Sequence, residues 1–424
     1  MKEEFISYLW KNKLLFPETL FTISGEPVYI QHPGQENHDA GPDFFAARIR
    51  IGPTLWVGNV EIHIRSSHWH LHGHQDDPAY DNIILHLVYE HDQEIRSSKG
   101  EVFQVLEVRD YFDPRLLKNY ERLQASKAWV PCEKQIQGVA GLVWNNWLNR
   151  LLVERLEMKS EEVLHFLEYF GNDWDQTFFF LLARNFGFKV NASPFGLMAQ
   201  RTPHNLLARN RDNLTTLEAL LFGQASLLSE DLKDIYPRTL LKEYRHQAIK
   251  HDLKPIDRGL WKFARLRPLN FPTIRIAQFA MLFHQSGHLF RNLLETRKAN
   301  DIQRQLRVQA SPYWNEHYVF DRKTARKEKP LGKDAINNII INTLAPVLFI
   351  YGRQNMRQDL CDKAMDLLQG TPPENNAIIR NWNSIGVKAQ HAADTQALIE
   401  CKKYYCTPKR CLHCPIGHLI LKGA

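Results

Sequence analysis

The chain has 424 residues and a formal net charge of +7, and 44% of its residues are hydrophobic while 24% are charged. This composition is typical of a soluble globular protein long enough for two or three domains. Its six cysteines, four of them crowded near the C-terminus, exclude a disulfide framework spread over a secreted domain.

Neither secretion nor membrane insertion is indicated by the sequence. The opening residues Met1 to Phe5 include two acids where a signal peptide carries a basic segment. The longest apolar stretch, 336–351, contains several asparagines and indicates a buried helix. We therefore expect a cytoplasmic protein without a membrane partner.

The first hundred residues predict a short amphipathic helix followed by strands. Apolar residues alternate with polar ones, and turn signals such as Gly41-Pro42 and Gly52-Pro53 separate the stretches. The helix is predicted over 3–12, and the strands over 27–31, 43–51, 55–65, 82–89 and 102–108.

From about residue 140 onward the apolar residues recur at three- and four-residue spacing, which predicts helices. The fold class is therefore α+β. We expect an α+β domain over 1–112, an all-α domain over 113–395 and a metal-binding cysteine module over 396–424. The clearest helices are predicted over 144–169, 174–186, 217–228, 240–249, 274–283, 336–351 and 395–405.

Two carboxylates and an imidazole stand out in the strand region. Asp43 follows Gly-Pro, and Glu61 and His63 project from one face of a strand because side chains alternate. A polar group on a buried strand needs a partner, and a divalent cation suits these donors. The alternative is that Asp43 is a turn residue and that Glu61 and His63 form the polar outer face of an edge hairpin.

Histidines cluster directly after this strand. Seven of the 19 histidines lie between His63 and His91, and acids follow them closely. Imidazoles interleaved with carboxylates indicate Zn²⁺, Mn²⁺ or Fe²⁺ chemistry, and we expect His72 and His74 to be ligands. His86 lies in an apolar run, where a hydrogen-bonded core histidine and a ligand are equally open interpretations. Single histidines elsewhere are more often ordinary core or surface residues.

The C-terminus carries four closely spaced cysteines, Cys401, Cys406, Cys411 and Cys414. Four thiolates satisfy tetrahedral Zn²⁺ or a [4Fe-4S] cluster, and the uneven spacing followed by proline leans slightly toward iron–sulfur. The role would be structural. The alternative is unligated cysteines or local disulfides, and Cys132 and Cys361 look isolated.

Basic residues concentrate between 231 and 334, where Lys and Arg outnumber acids roughly two to one. Such asymmetry is typical of phosphate binding, and we expect nucleic-acid contacts from Arg265, Arg267 and Arg275. The alternatives are a solvated basic face and a loop that docks one helical hairpin on another.

The order helix, strand, strand beginning at Pro42-Asp43, strand with Glu61-Ile62-His63, helix and strand resembles the core of PD-(D/E)xK nucleases. The resemblance implies a restriction-endonuclease-like mixed sheet, with Asp43 and Glu61 as ligands of Mg²⁺ or Mn²⁺. It also implies a further acid from the first helix, Glu3 or Glu4. His63 stands where that family usually has lysine, so it would orient or deprotonate the attacking water.

Nearly end to end, the chain also resembles a bacterial family catalogued only as domain of unknown function 2851. This resemblance implies no activity. It depends on the blocks 37–44, 58–63, 69–74, 267–272 and 405–417.

We therefore expect a metal-dependent nuclease, acting on DNA or RNA, with Asp43, Glu61 and His63 as its catalytic residues. One alternative is a nucleic-acid-binding protein whose nuclease-like domain is inactive. Another is a Zn²⁺-dependent hydrolase that uses the histidine cluster on a small-molecule substrate.

Overall fold

The computed structural model describes residues 1–16, 20–97, 100–286, 288–296 and 299–423. It confirms a mixed α+β protein, with a six-stranded sheet near the N-terminus followed by many helices. The chain divides into unit 1, residues 1–147 and 401–424, and unit 2, residues 148–400. The cysteine segment that we expected to be a module of its own is thus part of unit 1, which also extends well beyond residue 112.

Unit 1 begins with the helix α1, Glu3–Lys11, whose apolar residues Phe5 and Leu9 are buried. Among the described residues, six strands and two further helices follow it before Gly141. The strands are β1 Val28–His32, β2 Gln35–Glu36, β3 Phe44–Ile51, β4 Thr54–Arg65, β5 Ile83–Glu90 and β6 Val105–Glu107, and the helices are α2 His68–Leu71 and α3 Pro114–Ala125.

The sheet is antiparallel on one side and parallel on the other. Its order is β1-β3-β4-β5-β6, with β2 pairing beside β1 on β3. Strands β1, β3 and β4 pair antiparallel, whereas β5 and β6 continue parallel to β4. Parallel neighbours need a crossover connection, and the segment that contains α2 supplies it between β4 and β5.

A bulge distorts β3 close to its start. The pairing with β4 shifts register between Phe44 and Ala47, and Ala46 between them has a φ of 52°. A left-handed φ is costly for a residue with a Cβ, and such bulges redirect a strand locally. This one lies directly after Asp43.

Unit 2 is helical, apart from isolated bridges, and α4 crosses the boundary into it. Its core is rich in aromatic residues, including the contacting rings of Phe179, Phe279 and Phe283. The helices are α4 Gly141–Tyr169, α5 Trp174–Phe186, α6 Phe188–Gln200, α7 His204–Arg209, α8 Leu214–Gln224, α9 Ile235–His251, α10 Pro272–Ser286, α11 Leu289–Glu295, α12 Ala299–Gln305, α13 Lys333–Ile339, α14 Ala345–Gln354, α15 Gln358–Gln369, α16 Ala377–Ser384 and α17 Ala392–Glu400.

The predicted apolar helix is continuous over Lys333–Gln354, because a π-helical turn at Ile340–Leu344 joins α13 to α14. By length and composition alone it is apolar enough to cross a membrane, with a mean hydropathy of 1.5. However, 78% of that apolar window is buried within the protein. This burial is typical of a core helix.

The chain returns to unit 1 through a π-helical turn at Cys401–Cys406 and ends in the helix α18, Pro415–Lys422. Single 3₁₀ turns complete the description. They are His74–Asp76, Pro78–Tyr80, Ile136–Gly138, Arg258–Leu260, Pro268–Asn270, Pro312–Asn315 and Cys411–His413.

Candidate metal centre

Strand pairing brings Asp43 and Glu61 together. Phe44 of β3 pairs with Val60 of β4, which places Asp43 beside Glu61. The Asp43 backbone N–H donates to Glu61 Oε2 at 3.2 Å, and the Ile62 N–H donates to Asp43 Oδ2 at 2.9 Å. Both carboxylates are therefore held by the backbone of the neighbouring strand.

Alternation along β4 places Glu61 and His63 on the same side, as the sequence predicts. His63 Nε2 lies 3.7 Å from Glu61 Oε1. Both residues are buried, with exposed fractions of 1% for His63 and 5% for Glu61. The intervening Ile62 packs into the core. The interpretation as a polar outer face is therefore wrong, because these side chains point into the protein.

A sharp turn brings His72 and His74 to the same place. Gly73 between them has a φ of 75°, a left-handed conformation that glycine adopts without steric cost. His72 Nδ1 lies 3.1 Å from His63 Nε2, and His74 Nε2 lies 3.2 Å from Glu61 Oε1. One ring nitrogen from each of the three histidines lies within 4.8 Å of the others.

These donors fit a metal ion. In a tetrahedral site with metal–nitrogen bonds of about 2.0–2.1 Å, neighbouring ligand atoms are about 3.3 Å apart. The measured separations of 3.1, 3.2 and 3.7 Å are close to that value. Within the described part of the chain, His74 Nε2 is buried and makes no hydrogen bond of good geometry, although Glu61 Oε1 lies only 3.2 Å away. A cation between the donors would satisfy it.

The electrostatics also favour a cation. Burial, with the Asp43 charge second, raises the pKa of Glu61 to about 9, and burial raises that of Asp43 to about 6. Burial, followed by the neighbouring imidazoles, lowers the pKa of His63 to about 2. The site thus holds a neutral His63 imidazole and carboxylates that resist ionisation, and a divalent cation would stabilise the ionised carboxylates.

A second layer of residues fixes the histidine rings. His63 Nδ1 lies 2.8 Å from His86 Nε2, and His86 is fully buried. The sequence left two interpretations open for His86, a metal ligand and a hydrogen-bonded core residue, and its burial and its contact with His63 favour the second. The Tyr80 ring stacks on His74 with centroids 3.9 Å apart. Tyr80 was not among the residues predicted for the site, and its position six residues after His74 was the one local signal for it.

Helix α1 supplies a third acid near the site. The Glu3 charge raises the pKa values of both Asp43 and Glu61, and Glu3 Oε1 lies 3.6 Å from His68 Nδ1. Glu4 instead accepts a hydrogen bond from the Tyr120 hydroxyl at 2.7 Å. Of the two acids suggested by sequence, Glu3 is therefore the one that faces the site.

The four C-terminal cysteines also belong to unit 1, where Cys401 Sγ is 3.8 Å from Cys406 Sγ. Cys411 and Cys414 occupy the next turn of the chain, directly before α18. All six cysteines are free of disulfide bonds, so these thiols are available as ligands.

The three arginines of the predicted nucleic-acid interface have different environments. Arg265 and Arg267 are exposed, as is the basic run 322–328. Arg275 is 6% exposed, and its guanidinium donates to Asn270 Oδ1 at 2.6 Å and Gln278 Oε1 at 3.0 Å. Burial lowers its pKa to about 10. Arg275 therefore braces the start of α10, and we leave it out of the interface.

A family model described as "Protein of unknown function (DUF2851)" matches residues 3–377. Comparison with curated proteins and with solved structures finds no match to the chain. The function must therefore be argued from the residues.

Proposed function

We propose that this chain, which belongs to the DUF2851 family, is a metal-dependent hydrolase that cleaves phosphodiester bonds in nucleic acid. The observation that carries the proposal is the convergence of Glu61 with three histidine nitrogens beside a second buried carboxylate, Asp43. Buried titratable groups with strongly shifted pKa values that share one site are typical of active sites.

The order of elements supports the nuclease class. Helix α1 precedes the antiparallel strands β1, β3 and β4, and a crossover leads to β5, which is parallel to β4. Asp43, directly before β3, and Glu61, within β4, follow the order in which PD-(D/E)xK nucleases carry their two active-site acids. The resemblance in order is support for the proposal and does not by itself establish the activity.

A divalent cation at this site would activate a water molecule and neutralise charge on the phosphate. Glu61, His63, His72 and His74 would hold it. His63 is then engaged through both ring nitrogens, since Nδ1 faces His86 and Nε2 faces His72. The sequence suggested Asp43 as a metal ligand and His63 as the base. We instead propose His63 as a ligand and Asp43 as the proton acceptor.

Asp43 suits that role for two reasons. Its carboxylate is fixed by the Ile62 N–H, so little reorganisation accompanies proton transfer. Before a cation binds, burial raises its pKa to about 6, so that the carboxylate is ionised at neutral pH, as a general base must be.

Binding of the nucleic-acid backbone is assigned to unit 2. Arg265, Arg267 and the run 322–328 are exposed and carry an excess of positive charge. Arginine pairs with phosphate through two parallel hydrogen bonds, and lysine contributes as a point charge.

A second candidate, a Zn²⁺-dependent hydrolase of a smaller substrate, is favoured by one specific observation. Three imidazoles and one carboxylate form the candidate ligand set, and imidazole-rich sites suit Zn²⁺ more than Mg²⁺. The two candidates share the metal site and differ in substrate.

The test is cleavage of labelled single- and double-stranded DNA and RNA with Mn²⁺, Mg²⁺ or Zn²⁺. We expect wild type and His70→Ala to cleave, because His70 is an exposed residue of the same cluster. Asp43→Asn, Glu61→Gln and His74→Ala should lose at least a hundredfold in rate. If wild type binds metal at this site but leaves every nucleic acid intact, the nuclease proposal fails. An inactive binder or the second candidate would then remain, and salt-sensitive nucleic-acid binding distinguishes them.

A further inference from the structure

The C-terminal cysteines are paired by backbone geometry. Cys401–Cys406 forms a π-helical turn, whose i to i+5 hydrogen bonding places residues five apart on one side. The two sulfurs lie 3.8 Å apart. A tetrahedral zinc site with Zn–S bonds of about 2.3 Å has sulfur–sulfur separations of about 3.8 Å. The turn therefore presents two thiols at the spacing of two metal ligands.

The second pair is held by a tight turn that requires glycine. Cys411–His413 forms a 3₁₀ turn, and the Ile416 and Gly417 N–H groups hydrogen-bond to the Cys414 sulfur. A Cβ added at Gly417 would lie 2.1 Å from the Cys411 carbonyl oxygen, so no other residue permits this approach. Burial raises the pKa of the Cys414 thiol well above its usual range, and these two N–H groups oppose that shift only in part.

Cys132, which the sequence left isolated, is a fifth member of the group. It follows α3 in the chain, and the charges of Cys411 and Cys401 act on its thiol. Among the described residues, only the three histidines form a group whose ligand atoms all lie within 4.8 Å of one another. The cysteine sulfurs, taken as a group, are therefore more widely spread. The wider spacing of the whole group leaves room for an iron–sulfur cluster, whereas the 3.8 Å separation of the Cys401 and Cys406 sulfurs matches two ligands of a single zinc ion.

The cysteine segment is fastened to the first helices of unit 1. His418 Nδ1 of α18 lies 2.6 Å from the Tyr8 hydroxyl of α1. The Asn119 amide of α3 donates to the Leu421 carbonyl at 2.9 Å, and Gln124 donates to the Lys409 carbonyl at 2.9 Å. Helix α1 also carries Glu3, whose charge acts on Asp43 and Glu61.

We infer that Cys401, Cys406, Cys411 and Cys414 bind a structural metal centre, a zinc ion or an iron–sulfur cluster, with Cys132 as an unligated thiol beside it. The centre fastens the end of the chain to α1 and α3, and so fixes the helix that carries Glu3. The inference uses none of the proposed hydrolase ligands, and it stands or falls separately from that activity.

The test is metal content and the absorption spectrum of protein purified without oxygen. We expect about one zinc atom or one iron–sulfur cluster per chain at the cysteines, besides any ion at the histidines, and we expect it to be retained in His74→Ala and in Cys361→Ser. Cys361 is a matched control, being a buried cysteine of unit 2. Cys406→Ser and Cys414→Ser should lose the metal and unfold at a lower temperature, whereas Cys132→Ser should keep it. Zinc without visible absorption identifies the ion, and a broad visible band that bleaches on reduction identifies the cluster.

A second measurement does not depend on variants that fold. Wild-type protein stripped of metal and given Co²⁺ should show the intense thiolate-to-metal absorption of a four-sulfur site and recover its melting temperature. Wild type that contains no thiolate-bound metal and gives no such Co²⁺ spectrum would overturn the inference. Equal metal content in wild type and in the Cys406→Ser and Cys414→Ser variants would overturn it as well.

Discussion

His63 Nδ1 lies 2.8 Å from His86 Nε2, and this buried contact aims the other ring nitrogen of His63 at His72 and Glu61. The two histidines meet because β4 and β5 are parallel neighbours, with Glu61 paired to His86. A metal-binding histidine usually has such a partner on its second nitrogen.

His86→Phe should therefore weaken Mn²⁺ binding by about 10–100-fold, because it keeps a ring in the core but removes the partner of His63. Calorimetric titration of metal-free protein measures the change. His70→Phe is the control, since His70 is exposed on α2. Equal affinities in wild type and His86→Phe would show that the contact does not orient His63.

Gly73→Ala should disturb the turn between His72 and His74. Its φ of 75° costs a residue with a Cβ about 1–2 kcal/mol, although open space surrounds the position. We expect a lower free energy of unfolding in urea and weaker Mn²⁺ binding. Gly138→Ala, another glycine of unit 1 with open space around it but without a positive φ, should change neither. If the two variants behave alike, the turn conformation is not what positions the histidines.

Arg267 and Arg275 should separate binding from stability. Arg267→Gln should weaken nucleic-acid binding and reduce the slope of log affinity against log salt concentration by about one, as expected for one lost phosphate contact. Arg275→Gln should lower the melting temperature instead, because it leaves Asn270 without its bonded guanidinium. Filter binding at several salt concentrations and thermal melting measure both. An unchanged salt slope in Arg267→Gln would exclude this arginine from the interface.

Glu218 predicts a pH dependence of stability in unit 2. Burial raises its pKa to about 7 although the Ser311 and Tyr236 hydroxyls donate to it, whereas its unfolded value is 4.5. Between those values the unfolded chain releases the proton and the folded chain keeps it. The free energy of unfolding therefore falls as pH rises from 4.5 to 7, by about 3 kcal/mol for this group. Below pH 4.5 the contribution is fully present.

Glu218→Gln should flatten that dependence, since an amide does not titrate. Urea unfolding of both proteins at several pH values between 4 and 8 measures the difference. Parallel curves for the two proteins would show that Glu218 is not protonated in the folded state near neutral pH.

Local patterns predicted much of the sheet and part of the site. Alternation alone placed Glu61 and His63 together, and their burial agrees with it. The positions that local patterns missed depend on contacts distant in sequence. The charges of Cys401 and Cys411 act on the Cys132 thiol, although all of unit 2 separates them from Cys132 in the chain. No local spacing in the sequence reveals such a neighbour.

Arg275 is a residue for which the sequence suggested an exposed role and the structure shows a buried position. Its charge suggested phosphate binding, yet its neighbours Ile274 and Ile276 are both fully buried, and the whole start of α10 is enclosed. An arginine between two core isoleucines, in a buried stretch of helix, is held by packing and by local acceptors. The burial of Arg275 agrees with the alternative that the sequence left open, a loop that docks one helical hairpin on another.

The central claim is tested most directly by titrating metal-free protein with Mn²⁺ and following the free ion by electron paramagnetic resonance. Mn²⁺ prefers carboxylate and imidazole ligands to thiolates, so the cysteine segment should not contribute. We expect wild type and His70→Ala each to bind a Mn²⁺ ion. The double variant Glu61→Gln/His74→Ala should bind none. Equal Mn²⁺ binding in all three proteins, or none in wild type, would contradict it.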